Sequence, residues 1–183
     1  MNIPEMYDYL VRSRRDLWAA LERVPDEVLS RNVLNGERFR CIKDLLFHMA
    51  EVEDGWTHGD IQNSPFLQEQ FPELQGHEFF HDVPLGELLD YWRAVEAGTL
   101  AYLGALTDAE TARMVAPDDW RGVQFTVDGL LWHVFIHEVR HSAQVAALLR
   151  TQGIQPPWLD YLLYQLPPEV KDFVTRDRDP GSA

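Results

Sequence analysis

The sequence predicts an all-α fold, an antiparallel four-helix bundle, and three observations carry that expectation. Apolar side chains recur at helical spacing over four long stretches. Prolines and capping residues fall between those stretches or at their starts rather than in their interiors. The only credible strand signal is a short one, RMVAPDDWRGVQFT, where turn residues interrupt an alternating pattern.

The first long helix starts at Pro4, a residue suited to a first turn, and its stripe runs through Tyr7, Leu10, Val11, Leu17, Trp18 and Leu21 to an end near Pro25. A polar link, SRNVLNGERFR, follows. The second helix carries Ile42, Leu45, Leu46, Met49, Val52 and Trp56, with His48 inside it. Residues 63–84 hold three prolines and a glycine among scattered aromatics and read as a long irregular loop between helices two and three. Its phenylalanines, Phe66, Phe71, Phe79 and Phe80, are suited either to capping the mouth of a site or to packing over a bundle end. Asp82 and Pro84 mark the next start, and the third helix carries Leu85, Leu88, Leu89, Trp92, Val95, Leu100, Leu103 and Leu106, with Gly98 and Gly104 as weak points.

Thr107 and Glu110 form a capping-box pattern for a short turn, and residues 113–126 suit a small hairpin before helix four. Thr126 caps that helix, which runs through Leu130, Leu131, Val134, His137, Val145, Leu148 and Leu149 and stops at Gly153. WLDYLLYQL adds a short closing helix. Residues 1–166 then form one domain, and 167–183 are expected to fray as a polar tail.

A chain of 183 residues, 45% of them hydrophobic, suffices for one buried core and not for two domains. Sixteen basic against thirty acidic residues leave a formal charge of -14, which repels phosphate backbones and anionic lipid headgroups and argues against nucleic acid or a membrane as partner. The first residues lack an apolar export segment, no later stretch is apolar enough to span a bilayer, and Cys41 has no second cysteine to pair with. A cytoplasmic protein is expected, with Cys41 a structural, part-buried thiol.

The chemistry lies in WHVFIHEVRH. Its last five residues, HEVRH, match H-E-x-x-H, in which two histidines hold zinc and the glutamate activates water. His133, His137 and His141 stand four apart, so they share nearly one face of a helix whose surroundings are apolar. Burying such a group without a partner is costly, and a metal removes the cost. The missing ligand is expected from another helix, and KDLLFHMAEVE offers His48. Three histidines with one position open describe a catalytic rather than a structural site. A zincin protease is disfavoured, because Gln144 and Ala147 stand where the longer protease motif asks for glycine and histidine and strand signals are scarce. A ferritin-like di-iron site, built from Glu138 with His141 and Glu78 with His81, is weaker still, since the second pair lies in the proline-rich loop. Glu138 is the candidate catalytic residue, first as a partner for a ligating imidazole and otherwise as a base, with Glu51 a comparable candidate on helix two.

KDLLFHMAEVEDGW and LLWHVFIHEVRHSAQVAALLRTQGIQPPWLDYL together resemble the two signature stretches of the DinB/YfiT-like metalloenzymes, and the element order resembles that family over roughly residues 4–165. The resemblance implies a four-helix bundle with a divalent ion, usually zinc or nickel, on His48, His137 and His141, and leaves His133 to packing. Ser142 and Ala143 depart from the Arg-Gly pair frequent before the glutamine matched by Gln144, which blurs the subfamily without touching the ligands. It further implies a thiol S-transferase using a low-molecular-weight thiol and a small-molecule electrophile, in a homodimer. A metal-dependent hydrolase and a non-enzymatic, metal-stabilised dimerisation module are the alternatives.

Overall fold

The computed structural model describes residues 2–34, 38–117 and 120–176. Stretch 35–37 of the polar link, the 118–119 tip of the expected hairpin and the tail from 177 lie outside them.

Four long helices form the bundle: α1 (Ile3–Leu21), α3 (Ile42–Asp54), α4 (Leu85–Gly104) and α6 (Val127–Thr151). One-turn helices α2 (Asp26–Leu29) and α5 (Asp108–Thr111) sit in the connections. Their starts are chemically explicit. Asn2 accepts from the Glu5 amide while Glu5 returns the bond, and the Thr107 and Thr126 hydroxyls accept from the Glu110 and Gly129 amides. Gly153, at φ +78°, ends α6 in a conformation that favours glycine. The expected hairpin is a single pair of two-residue strands, β1 (Met114–Val115) and β2 (Phe125–Thr126), antiparallel in register Met114 with Thr126.

The helices do not simply alternate in direction. The His48–His141 and Trp56–His133 contacts run α3 antiparallel to α6, and Trp18–Trp92 with Arg14–Glu96 run α1 antiparallel to α4. Phe47–Tyr91 and the seat of His58 on Gly98 run α3 parallel to α4, and Tyr7–Phe135 with Arg14–Glu138 run α1 parallel to α6. The expected antiparallel packing therefore holds for two of these four pairs, and the long loop has a structural reason. Two parallel neighbours need a connection that travels back the length of a helix, about 30 Å for twenty residues.

Three buried charged residues of α3 hold that crossover. Asp54 accepts from the Leu67 and Gln68 amides and the Tyr91 hydroxyl, fixing its start. Asp44 accepts from the Phe80 amide and Lys43 donates to the carbonyls of His81 and Val83, fixing its end. Three of the loop phenylalanines serve packing: Phe80 stacks on Phe47 at 3.7 Å, Phe71 lies edge-on to Tyr91, and Phe79 sits beneath Arg40.

Past Asp54 the chain continues as a π-helix (Gly55–Ile61). It brings His58 against α4, where a Cβ on Gly98 would stand 2.3 Å from His58 Nε2, so only glycine admits the ring. After a 3-10 turn at Tyr161–Gln165, helix α7 (Pro168–Arg176) replaces the start of the expected frayed tail. Lys171 anchors it, bonding Asp16 and lying 3.6 Å from the Tyr164 ring centroid. Cys41 is buried, its pKa pushed up to about 11 by burial, as a structural thiol should be.

Asp54 generates a prediction. Burial pushes its pKa up, but contact with His58 and the bonds from Gln68, Leu67 and Tyr91 outweigh it, so the folded value lies below the ordinary one. That stabilisation is complete above the unfolded pKa and is lost as pH falls through the folded one. Asp54→Ala should cost about 3 to 5 kcal/mol in urea unfolding at pH 7, with the gap to wild type closing in acid; a cost under about 1 kcal/mol would show that the crossover is held elsewhere.

Candidate metal centre

His48 on α3 and His137 and His141 on α6 meet where these antiparallel helices pack. The four-residue spacing stacks the α6 pair on one face, and all three rings are buried, between 4% and 7% exposed. His48 Nε2 lies 3.0 Å from His137 Nε2, and one nitrogen from each ring lies within 4.8 Å of the other two. Tetrahedral ligation by imidazole places donor nitrogens about 3.4 Å apart, so small movements complete the set.

The protonation pattern suits ligation. His141 Nδ1 is 2.5 Å from Gln144 Oε1, which only accepts, so Nδ1 carries the proton and Nε2 keeps its lone pair. Arg140 Nη2, a donor 3.1 Å from that Nε2, requires the same tautomer. Burial, reinforced by His141 and His48, lowers the His137 pKa to about 3, and burial likewise lowers that of His141 against the bond to Gln144. Both rings are neutral at pH 7, the state a metal needs. His48 turns Nδ1 towards Arg38 Nη2 at 3.4 Å and Glu51 Oε2 at 3.6 Å, leaving Nε2 facing inwards. A set of three imidazoles fits a borderline divalent ion such as zinc or nickel.

Glu138 requires a correction. Its carboxylate does not support a histidine: Oε1 accepts from Arg14 Nε at 2.9 Å and Oε2 from Arg14 Nη2 at 2.6 Å. Arg14 also donates to Glu53 on α3 and Glu96 on α4, so one guanidinium bonds a carboxylate from each of the other long helices. Tyr7 and Trp92 donate to Glu53, and Arg15 to Glu96. Burial works against the Arg14 charge, but Glu138 and Glu53 outweigh it and raise its pKa. A glutamate so engaged is not placed to activate water, which removes the zincin reading of HEVRH. Glu138 positions α6 instead.

The remaining candidates fall away from the centre. His133 is exposed and lies edge-on to Trp56 at 5.4 Å, outside the ligand group. His81 is half exposed, pairs with Asp82 and lies outside the ligand group, so the Glu78 and His81 pair that a di-iron site would need is not at the centre. Several neighbours went unread in the sequence. Phe39 lies 4.9 Å from the His48 ring and 5.8 Å from His141, so the polar link, not the phenylalanine loop, supplies a wall of the centre. Arg38 and Phe39 offered no periodic signal, whereas Gln144 stood one helical turn beyond His141.

Elemental mass spectrometry checks the assignment. Wild type purified without chelators should carry about one divalent ion per chain, His48→Ala should lose it, and His133→Ala should keep it. Glu138→Gln should keep the ion yet lose about 2 to 4 kcal/mol of stability. Metal retained in His48→Ala would overturn the assignment.

Among known proteins, the model of the DinB family matches residues 1–171. The chain is 25% identical to the uncharacterised protein YizA of Bacillus subtilis (strain 168) over 150 residues, 82% of this chain and 86% of that protein. Its fold is similar to the crystal structure of a conserved protein from Enterococcus faecalis, with a TM-score of 0.61 at 18% identity, covering 82% of this chain and 96% of the other. With the bundle, the crossover and the histidine centre in place, the family match over nearly the whole sequence shows that this chain belongs to the DinB family.

Proposed function

We propose that His48, His137 and His141 hold a divalent ion, zinc or nickel, and that the protein uses it to transfer a low-molecular-weight thiol to an electrophilic small molecule. The observation that carries this reading is the composition of the site. Three buried histidines from two helices converge without a carboxylate or thiolate in their group among the described residues, and exposed Arg38 and Arg140 stand against two of the rings. Three protein ligands of one neutral kind leave room for an exchangeable one.

A bound ion supplies positive charge that favours thiolate over thiol at neutral pH. The chain's own contribution is orientation and charge. Gln144 fixes the His141 tautomer, Phe39 covers two of the imidazoles, and Arg38 and Arg140 offer planar donors to carboxylates of a cysteine-derived thiol. In the transfer, sulfur forms a bond to the electrophilic carbon, the leaving group departs with its electron pair, and the thiol proton passes to water. Glu138 takes no part in the transfer.

The test is conjugation of carboxylate-bearing thiols to 1-chloro-2,4-dinitrobenzene by zinc- or nickel-loaded protein. The rate should follow an apparent thiol pKa well below the free value of about 8.5, should vanish in His48→Ala, and should show a raised KM for the thiol in Arg38→Ala. A rate with every thiol equal to the protein-free rate would refute the reading.

A further inference from the structure

The face of α3 that carries His48 continues past the metal centre. Glu51, Trp56 and Gly59 follow at helical spacing, and the π-helix places Gly59 and Asp60 in the lining of an open cavity of about 560 Å³ that Phe66 and Trp120 also line. The volume is that of a small-molecule site. Two of its lining residues touch histidines. Glu51 Oε2 is 3.6 Å from His48 Nδ1, and Trp56 lies against His133, whose ring is 6.0 Å from His137.

The lining is chemically biased. It presents two indoles and a phenyl ring together with the carboxylates of Glu51 and Asp60 and, among the described residues, no lysine or arginine. Phe66 and Trp120 remain about half exposed, 47% and 51%, so their rings are open to a ligand. Phe66 is held there by design of the backbone: a Cβ on Gly59 would stand 2.4 Å from its ring, so the ring seats only because position 59 is glycine. Aromatic faces beside carboxylates attract organic cations and repel anions.

We propose that this cavity is a substrate subsite for a cationic organic group, a quaternary or aryl-bearing ammonium, adjoining the histidine centre. It rests on the proposed function only in assigning the group to the electrophile; the binding itself needs no metal. Arg38 and Arg140, against His48 and His141, then suit an acidic thiol, while the aromatic, acidic cavity that meets the centre through Glu51 suits a cationic or neutral acceptor.

Calorimetric titration of the full chain with benzyltrimethylammonium, and with benzenesulfonate as the anionic counterpart, tests this. The ammonium should bind saturably, the sulfonate at least about 10-fold more weakly, and both Trp120→Ala and Phe66→Leu should weaken the ammonium about 5-fold or more. Circular dichroism confirms that each variant is folded. Equal binding of the sulfonate, no saturable binding of the ammonium, or ammonium binding indifferent to both substitutions would overturn the proposal. His48→Ala separates the two readings: it should lose the ion and thiol transfer while keeping the ammonium, so failure of the thiol chemistry leaves the cavity result standing, and the reverse.

Discussion

Arg14 holds a positive charge in the middle of the bundle with no exposed side-chain surface, and the arrangement of the helices answers that charge. An isolated buried guanidinium would be prohibitively costly, so each neighbouring long helix contributes a carboxylate: Glu53 from α3, Glu96 from α4 and Glu138 from α6. The layer separates two apolar clusters, one around Leu17, Leu45 and Trp92, the other around Tyr7, Leu131 and Phe135. Apolar packing alone tolerates rotation of a helix about its axis, whereas a guanidinium bonded at fixed distances does not. Glu138 adjoins His137 in the chain and Glu53 lies five residues beyond His48, so the rotation that satisfies Arg14 also sets the faces on which the histidines stand.

The same layer accounts for what the sequence could and could not reveal. Helical periodicity located the four long helices, and the spacing of His137 and His141 with the isolated His48 located the centre, because both are local patterns that burial imposes. The role of Glu138 was not local. Its partner lies 124 residues away, and nothing in HEVRH distinguishes a glutamate facing a metal from one facing an arginine. Helix direction was hidden for a similar reason. A long proline-containing loop was plain in residues 63–84, but that it returns along the bundle to join two parallel helices depends on Asp54, Asp44 and Lys43 reaching across to it.

The residues around the centre show a division of labour that the motif alone did not suggest. The tautomer of His141 is set within α6 itself, by Gln144 and Arg140, one turn and one residue from it. Access is set by other elements, with the segment before α3 bringing Arg38 and Phe39 to one side and the π-helix bringing Trp56 to the other. The π-helix is the costly part of this design, since its backbone bonds are poorer than those of an α-helix. His58 on Gly98 and Phe66 on Gly59 are the packing contacts that offset it, each depending on the absence of a side chain.

The central claim is that three imidazoles form an open centre that admits a thiol. X-ray absorption at the metal edge of the zinc-loaded protein, recorded with and without an added carboxylate-bearing thiol, addresses it most directly. The account predicts three imidazole nitrogens and one lighter, exchangeable neighbour in the first recording, with sulfur replacing that neighbour in the second. A first shell already complete with protein ligands, or one in which sulfur never enters, would contradict it.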